Sequence, residues 1–422
     1  MDEESEGLKS GVNRRLRLAY LVSHPIQYQV PLLRRIAQEP DIDLTVFFGS
    51  DFSVRGYRDA GFGGVDVKWD LPLLEGYRYE FLPKLRDIRE TSFTSPLNYG
   101  IVSRLRGSGA ESAGDAAYDA LWVHGYASVN SLHAILAAKA LGIPVLLRAD
   151  MWLKDRARSR MKRLLKSIFF VALEQMTDGV LSVGTLNAEY WRHYFGDEVP
   201  QFLLPYAVDN DYFSARAREA ESGRASLQAE LELDPARPVI LFAGKMQTRK
   251  HCDHLIEAYT RLSPAPGVDP LPYLVIVGDG EQRAALERQA EATGFNSIRF
   301  CGFRNQSELP RFFDLATVFV LPSRHEPWGL IVNEVMNAAR PAIVTGDVGC
   351  APDLIVDGEN GCIYPAGDVN ALAAALSRVL ETPDVAEAMG RRAFERIQSW
   401  GFEQDIKGLR QALQRIAPGF VA

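Results

Sequence analysis

Val318-Phe-Val-Leu-Pro322-Ser-Arg-His-Glu326-Pro-Trp-Gly-Leu330-Ile-Val-Asn-Glu334 is the stretch that decides the fold. An apolar strand, Val318 to Leu321, runs into a loop and then into a helix that carries Glu334 about one turn in. A short continuous apolar run followed by a helix is the repeating unit of a parallel sheet covered on both faces. The same stretch sets two glutamates eight positions apart, Glu326 in the loop and Glu334 on the helix. Gly329 and Leu330 supply backbone N–H groups at the helix start, a place where anions bind. Two carboxylates on either side of a phosphate place suit a nucleotide-sugar, with hydroxyls for the acids and a diphosphate for the amides. The bland alternative is one capping and one solvated glutamate, and the stretch alone does not decide between them.

Outward from this unit, the strand-then-helix pattern repeats along the chain. Leu16–Val22, Leu44–Phe48, Ala120–Val123, Val145–Leu147 and Gly179–Val183 read as buried strands, and Val30–Ala37 as a helix. After a loop from Pro205 to Phe213 and a charged, Ala-rich surface helix, the pattern restarts. Val239–Phe242, Tyr273–Val277, Ile298–Phe300, Val318–Leu321 and Ala342–Val344 are its strands, with helices between them. This predicts an α/β chain of two doubly wound, Rossmann-like domains facing a cleft, at 15–205 and 206–398. The segment 399–422 reads as a last helix, with Ile406, Leu409, Leu413 and Ile416 on one face needing a partner. The acidic opening, 1–14, is expected to be a disordered leader without a secretory pattern.

The 422 residues suit two domains, and 47% hydrophobic with 24% charged residues is ordinary for a globular chain. A net charge of -7 gives no general attraction to nucleic acid or to an anionic membrane. Cys252, Cys301, Cys350 and Cys362 form no Cys-x-x-Cys pair, which fits inert thiols in a reducing cytoplasm.

Gly244-Lys-Met-Gln-Thr-Arg-Lys250 joins a strand to a helix. Its glycine permits a tight turn, and Lys245 and Lys250 place two cations suited to a diphosphate leaving group. A solvated basic loop is the plain alternative. Gly278-Asp-Gly280 and Gly302 mark further tight turns at the same sheet edge. Convergence of a basic loop, glycine turns and a carboxylate pair at one set of strand ends is what points to one crevice.

The order Gly244-Lys245…Lys250, Val-Gly-Asp-Gly280, Glu326-x7-Glu334, Gly349-x-x-Pro-Asp-Leu354 and Asp357-Gly-x-x-Gly361 resembles glycosyltransferase family 4. The resemblance covers nearly the whole second half and, more loosely, the first. It implies the GT-B fold, a nucleoside-diphosphate-sugar donor, retention at the anomeric carbon, and no metal or other cofactor. It implies that Lys245, where arginine is usual, and Lys250 hold the diphosphate. Glu334 would accept from ribose, Glu326 would sit by the donor sugar, and the Trp328-Gly329-Leu330 backbone would lie over sugar and phosphate. Gly244 and Gly278 fall in the donor loops, and Phe303 and Arg304 would meet the base. The final helix would cross back to the first domain. Trp328 stands where phenylalanine is usual, and Ala339 and Cys350 stand where glycine is common, which bears on donor-sugar identity.

In the first half, His124 ends a strand, and the resemblance puts such a histidine by the donor sugar; a strand-capping histidine is the alternative. Ser23-His-Pro-Ile-Gln-Tyr28 replaces the glycine-rich loop of many relatives, so His24, Gln27 and Tyr28 become candidates for acceptor or phosphate contacts. Arg148 and Asp150 are further acceptor-side candidates, or a buried pair holding a loop. The aromatic segments 48–62 and 69–77 read as an acceptor pocket or a packed hairpin. His251 and His254 read as surface residues with no third metal ligand nearby. The basic run from Arg156 to Lys166, leading into Ile168-Phe-Phe-Val171, reads as a solvated face ahead of a peripheral membrane contact through 156–171. The expectation is a cytoplasmic hexosyltransferase, free or peripheral on the inner membrane face, acting on a glycan, lipid-linked or small-molecule acceptor. The alternatives are a GT-B epimerase or hydrolase, and a non-catalytic nucleotide-sugar-binding subunit.

Overall fold

The computed structural model describes residues 14–88, 90–107, 117–154, 159–262 and 271–417. The expected leader, save Arg14, and Arg156 and Arg158 of the basic run lie outside those residues.

The first half carries β1 (Leu16–Val22), β2 (Ile42–Phe48), β3 (Tyr57–Asp59), β4 (Val65–Val67), β5 (Arg78–Phe81), β6 (Ala120–His124), β7 (Val145–Arg148), β8 (Gly179–Ser182) and β9 (Gln201–Leu203). Seven of these form one parallel sheet in the order β5-β2-β1-β6-β7-β8-β9. The second half carries β10 (Val239–Ala243), β11 (Tyr273–Val277), β12 (Ile298–Phe300), β13 (Val318–Leu321), β14 (Ala342–Thr345) and β15 (Gly361–Tyr364). They form a second parallel sheet in the order β12-β11-β10-β13-β14-β15. Central strands such as β10 are buried at every position, because helices cover both faces. Each sheet has an apolar cluster on each face.

Three of the strands absent from the sequence reading share a place in the sheets. β5, β9 and β15 are edge strands, and an edge strand needs no continuous apolar run. Arg78-Tyr-Glu-Phe81 carries two charges in four residues for that reason. The expected loop from Pro205 ends early: Asp209 accepts from the Tyr212 N–H at 2.9 Å and caps a helix over Asn210–Glu221. Thr382 likewise caps an unanticipated helix over Pro383–Gln398.

The last helix, Phe402–Ile416, leaves the second sheet and packs on the first. Ile406, Leu409 and Leu413 join Leu18, Tyr20 and Leu181 in one buried cluster. Gly408 lies so close to β9 that a Cβ there would run into the carbonyl oxygen of Leu203. Between the two sheets lies a cleft bounded by their strand ends.

β3 and β4 pair antiparallel as a small hairpin outside the main sheet. The aromatic segment 48–62 therefore contributes to a hairpin, and that hairpin reaches across the cleft.

Candidate active site

The loop after β10 and the loop after β13 meet at a buried ion cluster. Lys250 Nζ donates to Glu326 Oε2 at 2.5 Å, and Arg249 donates to the same oxygen at 2.8 Å. Both Lys250 and Glu326 are buried. Burial alone would raise the Glu326 carboxyl, but Lys250 and Arg249 reverse this and hold it below its ordinary value. Burial pulls the Lys250 ammonium below its ordinary value despite Glu326, and the nearby charges of Arg249 and Lys245 add to that. Lys250 and Arg249 thus share the Glu326 carboxylate, with Lys245 close enough for its charge to act on Lys250. Arg249 is a member that the sequence reading passed over, although it sits beside Lys250 in the same loop.

Lys245 has a different partner. Its ammonium donates to Asp59 at 2.9 and 3.1 Å, across the cleft from the hairpin of the first domain. Phe62 of that hairpin lies 4.8 Å from the Lys245 ammonium and edge-on to Phe303 at 4.9 Å. Gly63 abuts Gly280 closely enough that a Cβ would sit 3.2 Å from its carbonyl carbon. The hairpin tip therefore rests on Lys245, Gly280 and Phe303, three positions at the ends of consecutive strands. No sequence signal pairs residues 59 and 245.

The glycine turns do what close approach requires. Gly278 has φ 131°, and a Cβ on it would strike the carbonyl oxygen of Gly244. Gly244 N in turn donates to Val277 O at 3.0 Å, so the two loops are laced together. Gly329, φ 94°, is the N-cap of the helix Leu330–Met336 and has no side-chain cap. That helix has only 7 residues, so its dipole is short and the cations dominate the local positive field.

Glu334, one turn in, lines an interdomain cavity of about 510 Å³ together with Tyr28, Arg34, Tyr212, Gln306 and Phe402. Burial pushes its carboxyl up to about 8. Glu334 faces that cavity, and its burial favours the protonated acid at neutral pH.

Trp328 does not line the cleft with its ring. It is buried, stacks on Trp400 at 5.7 Å, and donates from Nε1 to Asn333 Oδ1 at 2.9 Å. It also fills the space beside Gly184 of the first domain, so it packs the hinge region. The Arg304 side chain turns to Cys301 O at 3.1 Å and to Glu308.

On the first domain, His124 ends β6, with Nε2 2.9 Å from Gln29 Nε2. Tyr20 donates its hydroxyl to Gln29 Oε1 at 2.6 Å, which leaves the Gln29 amide N–H to donate to His124. This chain assigns the proton to His124 Nδ1, a buried atom with no partner among the described residues. Burial takes the imidazole down to about 3, so it is neutral. Gln29, not Gln27, is the residue that sets this tautomer; Gln27 is only half-buried. His24 bonds Ser23 Oγ at 2.9 Å, stacks near Phe52, and is lowered to about 4 by burial. Tyr28 packs edge-on to Tyr206 at 5.7 Å, and burial pushes its hydroxyl up to about 12.

The acceptor role expected of Arg148 does not fit its surroundings. Its guanidinium is buried, donates to Leu204 O at 3.0 Å and Pro205 O at 2.9 Å, and faces Asp405 of the last helix at 3.8 Å. It clamps the hinge, which is the alternative reading of a buried cation holding a loop; its acid, however, is Asp405. Asp150 lies half-buried near Tyr28 and Tyr206, whose hydroxyls are raised by burial and then by its charge. A second tie crosses the domains, where Asp353 accepts from Thr185 N at 3.0 Å and Thr185 Oγ1 at 2.6 Å.

His251 and His254 are half-buried rather than surface residues, and their rings stack at 4.3 Å. Asp253, missed as a third candidate ligand, places its oxygens 3.8 Å from each ring.

Residues 223–396 match the family model for glycosyl transferases group 1. The chain is 34% identical to the alpha-D-kanosaminyltransferase of Streptomyces kanamyceticus over 191 residues, 45% of this chain and 47% of that one. It is 32% identical to the D-inositol 3-phosphate glycosyltransferase of Streptomyces griseus over 51% of this chain and 48% of that one. The chain thus spans about half the length of the curated relatives it matches. Among solved structures, the sucrose-phosphate synthase of Thermosynechococcus elongatus aligns over 95% of this chain and 99% of that one, with TM-score 0.67 and 19% identity. Anabaena HepE in complex with UDP aligns over 95% and 100%, with TM-score 0.67 and 14% identity. The fold is GT-B, as the family resemblance implies, with the two parallel-sheet domains about a cleft that the sequence pattern predicts.

Proposed function

We propose that this chain is a retaining glycosyltransferase of family 4, moving a hexose-type sugar from a nucleoside-diphosphate donor to an acceptor hydroxyl without a metal. The observation that carries this is the gathering of Lys245, Lys250, Arg249 and Glu326 at the strand ends of the second sheet. Glu334 lines a separate interdomain cavity whose walls include none of those four residues. The group 1 match covers this domain, and HepE, which shares the fold, is described in complex with UDP and with UDP-glucose.

The roles follow from the chemistry of each group. Lys245 and Lys250 would neutralise the diphosphate as it leaves, in positions fixed before reaction. Glu326, held by two cations at Oε2, is a poor nucleophile, because that oxygen is engaged and the carboxylate's basicity is reduced. Its part is to orient Lys250 and Arg249. The acceptor hydroxyl would then attack on the face from which the diphosphate departs, its oxygen bonding the anomeric carbon as the carbon–phosphate-oxygen bond breaks and its proton passing to the departing phosphate. Neutral His124 offers Nδ1–H to a donor-sugar oxygen. Glu334 would accept from ribose hydroxyls and ionise as it does so.

A thermal-shift screen of nucleoside diphosphates tests the reading. Uridine or guanosine diphosphate should raise the melting temperature, and EDTA should leave that shift intact. No shift with any nucleoside diphosphate would refute it.

A further inference from the structure

We propose that the helix Arg160–Glu174 docks this protein onto an anionic bilayer surface. The inference goes beyond the sugar-transfer reading and does not depend on it.

The helix shows two opposite apolar faces. Phe170 and Leu173 point into the first domain's core. Met161, Leu164, Leu165, Ile168 and Val171 remain 64, 57, 60, 60 and 63% exposed. At about 100° per residue these five fall within one arc of roughly 120°, opposite the buried face. Single exposed apolar residues are ordinary, whereas a stripe of five on one helix is a contact surface. A helix packed on a domain needs only its inner face apolar, so the outer stripe is unexplained by folding.

Charge selects the occupant. Arg160, Lys162 and Arg163 are exposed beside the stripe, on both of its flanks. Lys166 instead leans inward, 4.5 Å from the Tyr190 ring and 4.8 Å from that of Tyr194. The stretch from Lys154 to Lys166 holds seven cations and one acid, Asp155, in a chain of net charge -7. An apolar stripe rimmed by cations matches acyl chains beneath anionic headgroups, with the side chains entering by about 5–10 Å. No described helix is long and apolar enough to cross a membrane, so the contact is with one face of the bilayer.

The surface also lies near the cleft. Lys154 O meets His325 Nδ1 at 2.5 Å, next to Glu326, and Arg160 lies six positions after Lys154. Six residues span at most about 20 Å.

Flotation of the full chain with vesicles tests the proposal. Vesicles of phosphatidylcholine with about 30 mol% phosphatidylglycerol should carry the protein upward, and pure phosphatidylcholine should carry far less. Ile168→Glu and Leu164→Glu, both at exposed positions, should lower the partition constant about tenfold or more while the melting temperature stays unchanged. The triple change of Arg160, Lys162 and Arg163 to Gln should abolish the preference for anionic vesicles. Absence of flotation by the wild type would overturn the proposal, as would Ile168→Glu floating equally well. A solution dimer that Ile168→Glu dissociates would assign the stripe to a second copy and likewise overturn it. The assay contains no donor, so its outcome is separate from the nucleotide thermal shift.

Discussion

Asp59→Asn should tighten binding of uridine diphosphate. In the present structure the Asp59 carboxylate occupies the Lys245 ammonium at 2.9 and 3.1 Å. A diphosphate that needs this ammonium must displace the carboxylate or bind against its charge. Two unit charges 4 Å apart interact by about 4 kcal/mol at an effective dielectric near 20. Lys245 is 35% exposed and Asp59 9%, so solvent screens the pair on one side. Fully exposed pairs retain only about 0.2–1 kcal/mol. The net benefit of removing the charge is then about 1–2 kcal/mol, or roughly 5–30-fold in Kd. Asparagine keeps the oxygen that accepts from Gly61 N at 2.7 Å and Phe62 N at 3.3 Å, so the hairpin turn survives. Titration calorimetry with uridine diphosphate reads the effect, with Lys245→Met as the opposed control, expected to weaken binding more than tenfold. An Asp59→Asn Kd within twofold of the wild type, or weaker, would refute the reasoning. It would mean that Lys245 does not meet the diphosphate, or that Asp59 serves the ligand in another way.

Glu334 sets a pH dependence. Its carboxyl is near 4.5 when unfolded and about 8 in the fold, so the folded state binds the extra proton and stability falls as pH rises between those values. The slope is at most about 1.4 kcal/mol per pH unit, and Glu334→Gln should flatten it in urea melts between pH 5 and 8; an unaltered slope would exclude a protonated Glu334. Glu326 works in the other sense: its depressed carboxyl contributes stability that is present above the usual value of 4.5 and lost as pH falls through its lower folded value. Glu326→Gln leaves Lys250 and Arg249 without their acid and should cost about 3–5 kcal/mol, part of it recovered by adding Lys250→Met. Equal urea midpoints for Glu326→Gln and wild type would show that the ion cluster contributes nothing to the fold.

The central strands and both loop clusters were legible because each is local. Leu16–Val22, Tyr273–Val277, Ile298–Phe300 and Val318–Leu321 read as strands at the bounds the structure gives them. Each reads as an apolar or largely apolar run bounded by turns. Of the edge strands, β12 was read, whereas β5, with two charges in four residues, and β9, three residues opening on Gln201, show no sustained apolar run. Lys250 and Glu326 were placed in one crevice by their positions at neighbouring strand ends, but nothing local said that they touch. Arg148 misled for the converse reason. A cation at a strand end resembles a ligand contact until the hinge carbonyls of Leu204 and Pro205 are seen around it.

By itself, the order of apolar runs, glycines and charges determined two parallel sheets and which loops carry the cations and acids. Backbone period and turn chemistry act within a few residues, so sequence spacing encodes them. Only the tertiary structure decided that Asp59 sits on Lys245, that Gln29 orients His124, and that the outer face of Arg160–Glu174 stays uncovered. Those facts depend on how the two domains and their helices come to rest against one another. That packing joins residues as far apart as 59 and 245, a separation over which no local pattern in the chain carries information.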